Sequence, residues 1–81
     1  MNLSNAGNVV IPSIRALLDL GFEVSQIKAT GEFTATKNGN RFSAEDPVAL
    51  LGLIKLYECR GENWQLSDDD LSELGKRYNL L

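Results

Sequence analysis

The chain has 81 residues, room for one domain and no second, because chains divide when there are about a hundred or more residues for each part. Its 43% hydrophobic and 23% charged content, with two prolines, excludes intrinsic disorder, and a net charge of −3 is too weak a field to select a partner by itself. The absence of histidine excludes Ser-His and Cys-His nucleophile pairs, His-ligated zinc and an imidazole switch.

Residues 1–8, with Asn2, Ser4, Asn5, Gly7 and Asn8, are rich in turn formers and are expected to be loosely ordered unless Leu3 docks. Pro12 suits the first turn of a helix, and Ile14, Leu17 and Leu18 follow at helical spacing, predicting a helix over residues 12–20 with 9–11 as an extension. Gly21 ends it, since glycine enters the left-handed region at C′ without penalty.

From Phe22 the pattern turns to β-formers and threonines. A strand over residues 22–28 has Phe22 and Val24 on one parity and Ile27 on the other, which predicts a bulge near Ser25 and Gln26 or burial on both faces. Asn38-Gly39 is a strong type I′ hairpin signal and sets a register in which Lys37 faces Asn40, Thr36 faces Arg41, Ala35 faces Phe42 and Thr34 faces Ser43. Alternation then gives an apolar face of Phe33, Ala35 and Phe42 and a wet face of Thr34, Thr36, Arg41 and Ser43.

Asp46-Pro47 reads as an N-cap followed by proline at the first helical position, with Gly61 as terminator. The helix between them is apolar nearly all round, which makes it either central in the core or part of an interface. Gly52 in its middle costs about 1 kcal/mol relative to alanine and predicts a close approach of something to the backbone. A last helix starts at Ser67, with Asp70 as capping-box partner and Leu66 stapling against Leu71. Asp68, Asp69 and Asp70 at its start and Lys76 and Arg77 at its end complement the helix dipole. Leu71, Leu74 and Tyr78 are expected to form its buried stripe, extended by Leu80 and Leu81.

These elements predict an α+β fold in one domain spanning residues 1–81: a three-stranded antiparallel β-meander with helices packed on one face, in the order α-β-β-β-α-α. Over residues 12–60 the order resembles the double-stranded RNA-binding domain, in which both helices lie on one side of the sheet. That family places a lysine cluster at the start of its second helix. Here Asp46, Pro47, Val48 and Ala49 stand at those positions, so no binding residue carries over.

The candidate chemistry is sparse. Asp68, Asp69 and Asp70, with Glu73 three residues on, form a consecutive run where a calcium loop alternates its oxygens around a glycine, and capping accounts for them, so no metal or cofactor is expected. Glu45 and Asp46 form a carboxylate pair whose place before Pro47 points to capping rather than acid–base work. Cys59 has no histidine to activate it and is expected to pack. No nucleophile elbow and no phosphate loop is present.

One cysteine cannot form an internal disulfide, and secreted domains of this size usually carry several pairs. The first ten residues hold no Lys or Arg and no signal-length apolar run, and residues 47–54 fall short of the roughly 20 that a membrane span needs. A cytoplasmic protein without a membrane segment is expected. Starting at Met1 without tag or linker, it reads as a complete small protein.

The expected function is therefore a non-enzymatic protein-interaction module with an unidentified protein partner or, where helix two is not enclosed within one chain, a homodimer. The residues expected at the contact are Trp64, Glu62, Asp68 and Asp69, with the open edge of the strand at residues 22–28 available for β-addition. Trp64 is either a plug between two helices or, if exposed, an interface anchor. The alternative is weak nucleic-acid binding through Lys28, Lys37 and Arg41, the most basic part of the chain, which lacks the larger footprint such binding usually uses. A small enzyme using carboxylates or Tyr57 has no motif behind it.

Overall fold

Gly21 and the Asn38-Gly39 pair, three residues with positive φ, set the path of the first half of the chain in the computed structural model, which describes residues 1–4 and 6–80. Helix α1 spans Val10–Asp19 behind a 3-10 turn at Gly7–Val9. It ends where Gly21 takes φ +92°, its N–H donating to the Leu18 carbonyl (3.0 Å) and the Phe22 N–H donating to the Leu17 carbonyl (3.1 Å). This Schellman pair turns the chain into the sheet and brings Phe22 onto the core.

The strands are β1 (Glu23–Gln26), β2 (Phe33–Lys37) and β3 (Asn40–Ala44), antiparallel in the order β1-β2-β3. Asn38 and Gly39 have φ of 52° and 81°, as a type I′ turn requires, and the β2–β3 register is the one this turn imposes, with Ala35 opposite Phe42. Neither the bulge nor the burial on both faces expected of the first strand is observed: β1 pairs in step with β2 from Glu23 opposite Thr36 to Gln26 opposite Phe33, and Val24 alone of its residues is partly buried. The strand is also shorter than expected. Ile27 has already left it for a turn, its N–H donating to the Glu32 carbonyl (2.8 Å) and its carbonyl accepting from Gly31 N–H (2.7 Å), so its parity conflicts with nothing.

Ala35 is fully buried at the centre of the middle strand, and its small side chain lets two helices settle on one face of the sheet. Leu17 of α1 and Leu50 and Ile54 of α2 (Pro47–Arg60) meet it, with Phe22, Val24, Phe33, Phe42, Ala44 and Leu51 packed around them. On the opposite face Thr34 is buried among its strand neighbours and shares a hydrogen bond with the Ser25 hydroxyl (2.7 Å). Asp46 caps α2 by accepting from Ala49 N–H (2.8 Å), and Pro47 is buried beside it.

Helix α3 spans Asp68–Arg77, with Ser67 Oγ accepting from Asp70 N–H (3.2 Å). It closes on Asn79 at φ +58°, where Leu80 N–H donates to the Gly75 carbonyl (2.7 Å). The expected burial of its stripe is not observed: Leu71, Leu74, Tyr78 and Leu80 are all exposed, because α3 packs against no strand or helix beyond a passing contact. Helix α2 is covered on its inner side by the sheet and α1, and its outer side is left open. Gly52 differs from expectation for the same reason, since a Cβ built there meets nothing within 4 Å. Asn5 and Leu81, included in the expectations for the two ends, lie outside the described residues, and Leu3 is exposed.

The uncovered helix faces show in the overall dimensions. The chain presents 6436 Å² of accessible surface, where a compact monomer of its 8.9 kDa presents about 4,800 Å². Its radius of gyration is 14.7 Å against about 12 Å for a compact chain of this length.

With so few side chains wholly buried, Leu50→Ala lowers the unfolding free energy by about 2–5 kcal/mol and Asp46→Ala by about 1 kcal/mol, as read by urea denaturation.

Candidate interaction surface

The side of α2 turned away from the core carries Ala49, Gly52, Leu53, Leu56 and Arg60, spaced by three and four residues. Leu53 and Leu56 are 41% and 40% exposed, high values for leucines in the central helix of a domain. Tyr57 borders this stripe with its ring edge-on to Phe42 (centroids 5.6 Å apart), and Phe42 meets Phe22 in the same way (6.0 Å). The aromatic row joins the floor of the core to the outer surface.

Trp64 reaches the stripe through the turn that ends α2. Gly61 takes φ +62°, a 3-10 turn follows over Gly61–Asn63, and the Arg60 Nε–H donates to the Trp64 carbonyl (3.1 Å), tying the loop back beside the helix. The indole is 49% exposed, seated on one side and open on the other, so it is not the sealed plug between two helices. With Phe42, Leu53, Leu56 and Tyr57 it lines an open groove of about 200 Å³, below the roughly 300–1,000 Å³ of small-molecule sites. The groove has the shape and chemistry to take a side chain from another protein surface.

Glu62, Asp68 and Asp69 are all exposed near Trp64 in sequence: Glu62 in the 3-10 turn, the two aspartates in the first turn of α3. Successive residues on a helix point about 100° apart, so Asp68, Asp69 and Asp70 diverge. Among the described residues no group of three or more His, Cys, Asp or Glu could hold a metal ion. Cys59 is exposed, contrary to the packing expected of it, because it falls on the outward half of α2, which nothing covers.

The three basic residues of the alternative reading are not brought together. Lys37 Nζ donates to the Leu20 carbonyl (2.5 Å) and lies 5.4 Å from the centroid of the Phe22 ring, so it caps the C-terminus of α1. Arg41 stands opposite Thr36, on the face of the sheet away from the helices, and Lys28 sits in the β1–β2 turn at the far end. The edge offered for β-addition is also reduced, to the four residues of β1.

Two features escaped the sequence reading: the outward stripe of α2 as a separate surface, and the isolation of α3. The three- and four-residue spacing of Leu53, Leu56 and Arg60 was a signal for the first. Local sequence carries none for the second, because an amphipathic stripe looks the same whether or not it is covered. Among the described residues no helix is long and apolar enough to cross a membrane. Comparison of the chain with protein-family models, with curated proteins and with solved structures finds no match.

Acrylamide is expected to quench the fluorescence of Trp64, the single tryptophan, substantially in dilute native protein. A Stern–Volmer slope near that of a buried indole would show the groove to be closed.

Proposed function

We propose that this chain is a small non-enzymatic protein-interaction module that binds through Leu53, Leu56 and Trp64 of the α2 face, with Glu62, Asp68 and Asp69 as its acidic rim. The reading rests on the apolar stripe that the most central helix leaves uncovered, in a molecule carrying on the order of 1,600 Å² more surface than a compact fold of its mass. The groove has the core anatomy of an interface, an aromatic anchor on a shallow apolar surface. Self-association is one form this function takes. A cytoplasmic location suits the exposed and unpaired Cys59. Nucleic-acid binding finds no support in three cations that point to different parts of the surface.

A photo-crosslinking amino acid placed at Leu56 is expected to give discrete protein adducts in extract of the native cell, while the same group at Ser43 on the wet face of the sheet gives none. Absence of adducts at Leu56, or the same adducts from both positions, overturns the reading. In mobility-shift titrations against RNA and DNA at low and moderate salt no micromolar binding is expected. Salt-sensitive binding would move the function to Lys28, Lys37 and Arg41.

A further inference from the structure

Two apolar faces of this chain are uncovered, and they do not touch each other. One is the outward stripe of α2. The other is the stripe of α3, where Leu71, Leu74, Tyr78 and Leu80 line a shallow groove with Leu66 and Gly75 and with no residue of any other strand or helix. Nor does α3 contribute to the groove around Trp64. Building on the interaction reading above, we infer that the occupant of the α2 face is α3 of a second copy of this chain, seated antiparallel and exchanged reciprocally across a two-fold axis.

Spacing is the first argument. Read from the N-terminus, the α2 stripe is Ala49, Leu53, Leu56 and Arg60, in steps of four, three and four. Read from the C-terminus, the α3 stripe is Tyr78, Leu74, Leu71 and Asp68, in steps of four, three and three. Laid antiparallel, the two make a short seam of the kind in which apolar side chains alternate at three- and four-residue intervals. Leu56 meets Leu71 and Leu53 meets Leu74. Tyr78, the bulkiest of the stripe, meets Ala49 and Gly52, where a Cβ would find open space. The room left by Gly52, which nothing in its own chain uses, is then filled by the partner's ring.

Bulk, not charge, gives the direction: only the antiparallel seating brings the Tyr78 ring onto the small Ala49 and Gly52. Asp68 then stands opposite Arg60, whose neighbours Glu58 and Glu62 are acidic, so charge adds no preference for either seating. The area agrees as well. The exposed parts of Leu53, Leu56, Trp64, Leu71, Leu74, Tyr78 and Leu80 amount to on the order of 800 Å² per chain, about what each partner contributes to a stable dimer. Exchange of an identical element between copies is a low-cost route to such a dimer.

Sedimentation of the full chain at tens of micromolar is expected to show a dimer, and a monomer overturns the proposal. Leu56→Glu and Leu74→Glu alter side chains that are 40% and 39% exposed within one chain, so each variant is expected to keep its far-UV circular dichroism while self-associating at least tenfold more weakly. Mixing the two is expected to restore association. The mixed pair carries one intact seam beside one doubly altered seam, an outcome that neither a like-with-like contact of two α2 faces nor a helix folded back within its own chain produces. Dimerisation of Leu74→Glu alone, or no rescue on mixing, overturns the proposal. A monomeric chain that still gives adducts to other proteins from Leu56 leaves the interaction reading standing without this one. A chain that gives neither loses both.

Discussion

The contact of Leu17, Leu50 and Ile54 on Ala35 is the constraint from which the rest of the structure follows. A small residue at the middle of the central strand lets α1 and α2 lie close to one face of the sheet, and among the described residues these four and Pro47 are the buried apolar side chains. Ala35 can occupy that position because the Asn38-Gly39 turn fixes which side of β2 it faces; a slip of one residue would put Thr34 under the helices instead. Around this point the partly buried ring of Phe22, Val24, Phe33, Phe42, Ala44 and Leu51 completes a core large enough for two helices. A third finds no place on it.

The exclusion of α3 gives the molecule its character. A helix packed on one face of a sheet normally turns charged and polar residues outward. Here that face carries Leu53 and Leu56 into solvent, with Trp64 tied alongside by the bond from Arg60 to its carbonyl. Charges near the core serve local structure: Asp46 caps α2, Lys37 caps α1 and leans on Phe22, and the Arg15–Asp19 and Arg77–Glu73 pairs are exposed helix bridges of small energetic weight.

The sequence was legible wherever a local rule decides the outcome. Asp46-Pro47, Ser67 with Asp70, Gly21 and Asn38-Gly39 each specify backbone geometry within four residues, and the element order, the hairpin register and the two-faced sheet follow from them. The first strand was misjudged because Ile27 was counted in it; nothing nearby signals that pairing stops at Gln26, which depends on where β2 begins. Cys59, Gly52 and the α3 stripe were misjudged for one shared reason. Periodicity shows that a helix has an apolar face but not whether a layer lies over it. Trp64 was marked as either plug or anchor, and its half-exposed seat resolves that choice only because the neighbouring helix is absent from it. The basic residues looked like a group along the chain, whereas pleating and turns separate them across two faces and two ends of the sheet.

A core with so few buried hydrophobic side chains among the described residues leaves little reserve of stability beyond what folding requires. Anything that covers the α2 face adds its own binding free energy to the folded state, since the unfolded chain offers no such face. Any occupant of that face would therefore make the folded chain more resistant to unfolding and proteolysis than an uncovered copy.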